Sequence, residues 1–158
     1  MLVRRAEPGD AGEIAATIRE AFAEFEPLYT RAGFLATTPT ADELRARWSE
    51  GPVWVAERSG AVVGSVSAVP RPGELYVRSM AVRPSAQGQG LGGELLRVVE
   101  AFGRERCDSR LALSTTPFLT AALRLYQRFG FRQVDESDLF GTPLLLMAKE
   151  IGTRATAR

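Results

Sequence analysis

The 158-residue sequence contains no histidine and a single cysteine, Cys107. Without histidine the chain lacks the commonest general base near neutral pH, the commonest zinc ligand and any Ser-His or Cys-His nucleophile pair. One cysteine excludes an intrachain disulfide and a thiolate metal cluster, and it suits a reducing compartment. Cys107 falls near a predicted helix C-terminus with no activating neighbour, which argues against a catalytic thiol. Proton transfer is left to carboxylates, tyrosine, water or the substrate, and no metal site is expected. Lysine is nearly as scarce, with Lys149 alone among 20 basic residues; codon usage accounts for that better than an arginine-specific task. The net charge of +1 supplies no basic field for nucleic acid. Nowhere do the roughly 18 apolar residues of a membrane span run together, and "MLVRRAEPGD" has no apolar signal core. The expectation is a cytoplasmic protein with neither nucleic acid nor membrane as partner.

What is present is enough for one core. At 45% hydrophobic residues, the chain has the size and composition of a single domain, expected over residues 1–151 with a disordered tail at 152–158. "MLVRRA" reads as a strand. Asp10 is a plausible N-cap for a helix carrying Ile14, Ile18, Ala21, Phe22 and Phe25 at helical spacing. Pro27 and "YTRAGFLATTP" break that pattern, and Thr40 with Glu43 then offers a capping box for "ADELRARW". "VWVAE" and "VVGSVSAV" around "RSGA" form a predicted hairpin, and "ELYVRSMAV" is a further strand. "LGGELLRVVEAFGRE" places Leu91, Leu95, Val98, Val99 and Phe102 on one helical face. After it come the strand "RLALST", a helix "FLTAALRLYQRF" stopped by Gly130, and the strands "FRQV" and "PLLLMAKEI". The order β-α-α-β-β-β-α-β-α-β-β predicts an α/β (α+β) architecture, a mixed sheet with helices packed over it.

"VRPSAQGQGLGGELL" holds Gly88, Gly90, Gly92 and Gly93 just ahead of a predicted helix. A helix N-terminus presents unpaired N–H groups and about half a positive charge, so a glycine-rich approach to one suits a phosphate that the backbone itself must touch. Gly88, Gly90 and Gly93 also spell G-x-G-x-x-G, with Asp108 about twenty residues on, as a dinucleotide site requires. Pro84 and "SAQ" intervene between strand and glycines, however, and Asp108 precedes a strand instead of ending one. A Walker A loop is excluded because no Lys-Ser or Lys-Thr follows.

Taken whole, "MAVRPSAQGQGLGGELL" resembles the acetyl-CoA-binding motif of the GCN5-related N-acetyltransferase (GNAT) family, in which a strand ends at V-x-P and Q/R-x-x-G-x-G/A opens the next helix. Gln87, Gly90 and Gly92 match those signature positions. "AALRLYQRFGFRQV" resembles the family's A-x-x-x-Y-x-x-x-G-F block through Ala122, Tyr126, Gly130 and Phe131. The likeness extends from Leu2 to about Ile151. It implies the GNAT acyl-CoA N-acyltransferase fold, a mixed, mostly antiparallel sheet of about six or seven strands flanked by about four helices. It implies acetyl-CoA as co-substrate, bound by Gln87, Gly88, Gln89, Gly90, Leu91 and Gly92 at its pyrophosphate and by the main chain of Met80, Ala81 and Val82 along its pantetheine arm.

The family commonly has asparagine seven residues before the tyrosine. This chain has Leu119 there, and Ser114, Thr115 or Thr116 could supply the polar contact instead. Transfer to an amine also needs a proton for the departing thiolate and a base for the amine. Tyr126, at the border of a helical core stripe, is the candidate acid. The family's usual glutamate is replaced by Tyr76, which leaves Glu74, on the same strand face, as candidate base directly or through water, with Asp138 another acid and Tyr76 shaping the acceptor pocket. Phe22, Phe25 and Tyr29 stand among acids in "FAEFEPLY" and are expected on the acceptor side. The acceptor is a small-molecule or peptide amine, and apolar strands such as "PLLLMA" would permit a homodimer. A second reading is a degenerate member that binds acetyl-CoA as a sensor or interaction module.

Overall fold

The computed structural model describes residues 1–152. Seven strands form one sheet in the order β1-β2-β3-β4-β5-β7-β6, comprising β1 (Leu2–Arg5), β2 (Val53–Arg58), β3 (Ala61–Arg71), β4 (Glu74–Val82), β5 (Arg110–Thr115), β6 (Arg132–Leu139) and β7 (Thr142–Glu150). Every neighbouring pair is antiparallel except β4 with β5. Five α-helices accompany the sheet: α1 (Ala11–Phe22), α2 (Arg31–Thr37), α3 (Ala41–Ala46), α4 (Leu91–Glu105) and α5 (Thr120–Arg128).

The apolar residues divide by face. Leu75 and Val77 of β4, Leu111 and Leu113 of β5, Leu95, Leu96 and Val99 of α4 and Tyr126 of α5 build one core. Ile14, Ile18 and Ala21 of α1 pack with Leu44 of α3, Val55 and Ala81 on the opposite face. Strict alternation along a strand permits this, because successive side chains point to opposite sides. The largest fully buried apolar side chains all fall in these two layers.

Two local features of β4 shape the surface beside it. Its parallel pairing with β5 has three rows only, Glu74 with Arg110, Leu75 with Leu111 and Tyr76 with Ala112. Beyond Tyr76 the two strands part. Against β3, Ser65 faces Ala81 while Ser67 faces Arg78, so the single residue Val66 lies opposite both Ser79 and Met80. This is a β-bulge, and Ser79 takes a positive φ of 56° there. The extra residue bends β4 and keeps Met80 and Val82 on the α4 face.

Several expectations change. "YTRAGFLATTP" contains α2, capped by Thr30, whose Oγ1 accepts from the Gly33 N–H (3.0 Å). Asp10 does not cap α1 through its side chain; its carboxylate instead accepts two hydrogen bonds from Arg4 (both 2.9 Å) and one from the Glu7 N–H (2.8 Å). Phe25 lies past the end of α1, in a 3-10 segment at Ala23–Leu28 whose course is set by Pro27. The Thr40–Glu43 capping box forms in both directions, at 2.9 and 3.1 Å. The strand begun at "FRQV" continues through Leu139, so Asp138 belongs to β6 and not to a loop. Of the tail expected to be disordered, Gly152 is held by its N–H to the Ser109 carbonyl (2.9 Å); residues 153–158 lie outside the described residues.

Candidate active site

A cavity of about 440 Å³ opens where β4 and β5 separate. One wall is formed by Met80, Ala81 and Val82 of β4; another is the turn from Ala86 into the first residues of α4, Gln89 excepted. The C-terminal part of α1 with the residues after it brings Phe22, Glu24 and Phe25, and α5 brings Tyr126.

The glycine segment is built as an anion cradle. Gly90 is the N-cap of α4 with φ 81°, in the left-handed region that side chains resist, and Gly88 shares that conformation at φ 78°. A Cβ on either would meet no atom within 4 Å, so the space before them is open. Among the described residues, none of the N–H groups from Gly88 to Gly93 donates to a protein acceptor. A row of free donors at the positive end of a fifteen-residue helix fits a diphosphate. Gly92 has a different reason to be small: its Cβ would lie 2.6 Å from the Leu125 side chain.

The open edge of β4 completes the cavity. The Arg83 N–H donates to the Val63 carbonyl (2.8 Å), and the alternation of an antiparallel ladder therefore turns the N–H of Val82 away from β3 and toward the gap. Gln87 takes the Val82 carbonyl with its side-chain amide (3.0 Å), which locks the start of the glycine turn to the end of the strand. The Val82 N–H stays open for an incoming carbonyl. These groups fit the pantetheine arm and pyrophosphate of a coenzyme A thioester.

Tyr126 lines the cavity from α5 while 7% exposed, its ring edge-on to Phe131 at 5.9 Å. Burial, with Tyr29 and Tyr76 adding to it, pushes its hydroxyl up to about 12. It is therefore fully protonated at neutral pH. Tyr76 donates from its hydroxyl to Ser114 Oγ (2.8 Å), spanning the strands just beyond their last paired row.

Other predicted residues are not brought here. Glu74 sits at the joined end of β4 and β5, bound by Arg110 (2.8 Å) and Arg71 (3.5 Å). Six residues of extended strand, roughly 20 Å, separate it from Met80. Its expected role as base is corrected accordingly: the carboxylate is shared between two guanidiniums and does not line the cavity. Asp138 is exposed on β6, where it accepts from the Gly141 N–H (3.3 Å), and it too is absent from the cavity wall. Tyr29 is buried against Phe34 and Phe118, and Thr115 is buried at the end of β5; neither is on the wall. Gln89 points outward and accepts from Arg58 (3.0 Å). Asp108, the acid of the dinucleotide spelling, is buried in an ion pair with Arg106 (2.9 Å).

Glu24, one of the acids expected in "FAEFEPLY", is the only carboxylate on the cavity wall among the described residues. Two charged wall residues were not anticipated: Arg124 and Arg128 line the cavity from α5 without an ion-pair partner among the described residues.

A mostly antiparallel sheet that parts beside a helix N-terminus rich in free donors is the arrangement of the acyl-CoA N-acyltransferases. The sequence profile of the Acetyltransferase (GNAT) family matches residues 16–131, more than half of the chain, and the chain belongs to that family. It is 32% identical over 140 residues to the uncharacterized N-acetyltransferase YjgM of Escherichia coli K12, covering 85% of this chain and 83% of that one. Seven further curated relatives are each matched over less than half of their own length. Among solved structures, a ribosomal-protein-alanine N-acetyltransferase from Brucella melitensis is 29% identical with a TM-score of 0.75, over 96% of this chain and all of that one. The PaiA N-acetyltransferase of Thermoplasma acidophilum, solved with coenzyme A, superposes with a TM-score of 0.81 at 14% identity, over 95% and 98% of the two chains.

Proposed function

We propose that the protein is an acetyl-CoA-dependent N-acetyltransferase that passes the acetyl group directly to a primary amine within a ternary complex. The observation that carries this reading is the run of unengaged N–H groups from Gly88 to Gly93 at the foot of the gap between β4 and β5. The Thermoplasma acidophilum neighbour, solved with coenzyme A, supports the choice of ligand.

Bound acetyl-CoA supplies an acetyl group activated as a thioester. The chain's own residues do the rest. Backbone N–H groups at 88–93 hold the phosphates, with Arg124 and Arg128 adding positive charge at the wall. The Val82 N–H aims at the gap, where it polarises the thioester carbonyl. Phe22 and Phe25 exclude water, and Glu24 attracts an ammonium and accepts its proton through solvent. Tyr126 Oη, which keeps its proton at neutral pH because burial raises its pKa, donates that proton to the departing thiolate and is reprotonated by the proton the amine loses.

Thiol release from acetyl-CoA over a panel of primary amines tests this directly. Tyr126→Phe should lower kcat on the order of 10²-fold while calorimetric affinity for acetyl-CoA holds. Equal turnover in the variant would remove Tyr126 from the chemistry. Tight acetyl-CoA binding with no amine-dependent thiol release would favour the sensor reading, which Leu119 at the usual polar position and the remote Glu74 otherwise support.

A further inference from the structure

Two arginines converge on the face of β4 that looks away from α4. Arg78 stands on the same face as Tyr76 and immediately precedes the bulge. It donates to Glu50 (2.6 Å), yet its Nε–H is buried with no acceptor among the described residues. Arg47, at the end of α3, donates to the hydroxyl of the bulge residue Ser79 (3.0 Å) and makes no ion pair among the described residues. Burial and the neighbouring Arg78 charge both lower the Arg47 pKa, against the opposing pull of Glu50 and Glu43. Two partly buried guanidiniums repel each other, and the one direct ion pair between them and the protein is that of Arg78 with Glu50 among the described residues. The arrangement is costly for a surface that only has to be soluble, and an anion would resolve it.

We propose that Arg47 and Arg78 receive the carboxylate of the acceptor, so that the amine acetylated is a small amino acid or a similar amine with a carboxylate a few bonds from its nitrogen. This rests on the N-acetyltransferase reading and narrows it. Ser79 links the pair to Met80, whose main chain borders the gap, and two residues of strand place Arg78 roughly 6–7 Å from it. That span matches the length of a small amino acid. The crevice beside the arginines, between Leu44, Trp48, Gly51 and Val53, measures about 10 Å³ and admits a single water. The buried Arg78 Nε–H is within reach of a water in that crevice, and the carboxylate seats on the outward N–H groups of the two guanidiniums.

The test compares L-leucine, L-phenylalanine and L-aspartate with their α-carboxamides, following thiol release from acetyl-CoA. The carboxamides have less basic amines and start with more free nucleophile, so intrinsic reactivity favours them. Recognition by the arginine pair reverses that order, giving at least one acid a kcat/KM larger by on the order of 10- to 100-fold. In Arg47→Gln and in Arg78→Gln the ratio of acid to carboxamide falls toward one, while acetyl-CoA still binds. Arg47→Gln should also raise the Tm of the ligand-free protein by relieving repulsion, whereas loss of a purely structural arginine lowers it. Equal use of acid and carboxamide, or variants that slow both alike, overturns the proposal.

Should neither these compounds nor the wider panel of primary amines be acetylated, the N-acetyltransferase reading fails and the anion site is judged by binding alone; acetylation of other amines but of none of these acids overturns the carboxylate proposal alone. CoA-loaded protein titrated with N-acetyl-L-leucine and N-acetyl-L-aspartate must then show association that Arg78→Gln abolishes. Absence of such association overturns the carboxylate site as well.

Discussion

Tyr126 combines a position on the cavity wall with near-complete burial, and the two together make an experimental handle. Its pKa is about 12 in the folded chain against the ordinary 10 of a phenol. The folded state therefore holds the proton where the unfolded state has already released it. The stability this gives is complete below pH 10 and drains away as the pH climbs toward 12, amounting to on the order of 2 kcal/mol. Melting temperature followed against pH should drop over that interval in the parent and stay flatter in Tyr126→Phe. At the same scale, Tyr126 was readable in the sequence because its neighbours Ala122, Leu125 and Phe129 set a helical stripe beside which it sits. Glu74 was not. Two residues of strand parity put it on the right face, but which end of β4 remains joined to β5 is fixed by pairing with a segment some 36 residues away, and no local pattern carries that.

At the scale of elements, the functional work is divided between a strand edge and a helix end. The ladder that joins β3 to β4 bonds Arg83 to Val63 and, two residues earlier, Ala81 to Ser65, leaving the Val82 N–H unengaged. Amide exchange measured residue by residue should find Val82 poorly protected and Ala81 well protected in the free protein. On adding acetyl-CoA, Val82 should slow while Ala81 changes little; no slowing at Val82 would detach the pantetheine arm from this edge. The glycine turn and α4 were legible because free donors, glycines and a strong apolar stripe all lie within one short stretch. The helix α2 was missed since its seven residues include Gly33 and a threonine, and its cap engages β7 and the β6–β7 turn through Thr142 and the Phe140 carbonyl. The strand expected at "FRQV" runs on through the acidic residues Asp135–Asp138 because hydrogen bonding to β7 overrides a composition poor in strand formers.

For the molecule as a whole, the sheet consists of two blocks, β1 to β4 and β5 with β7 and β6, connected directly by only three paired rows. Helix α4 bridges them, and its Glu100 is the clasp. That carboxylate accepts from Lys149 of β7 (2.7 Å) and from Arg104 of its own helix (3.0 Å), and Lys149 also lies over the Phe129 ring at 4.2 Å. Burial works against the Glu100 charge, but the two cations more than offset it and hold its pKa below the usual value. Glu100→Gln should cost about 2 kcal/mol, read as a lowered denaturation midpoint. The parent should lose this advantage as acid protonates Glu100, and the variant should show a shallower acid limb. The order of elements and the two-layered core followed from periodicity along the chain, whereas the split between the blocks depends on one register and had no local signature.

Ser79 is the supernumerary residue of β4, and its presence sets a geometric debt between foldability and use. Excise it and every hydrophobic side chain of the strand keeps its face, since 77, 78, 80, 81 and 82 then alternate without interruption. A straightened β4 could zip to β5 along its full length and seal the slot. The room beside β4 thus traces to one residue beyond what regular pairing requires.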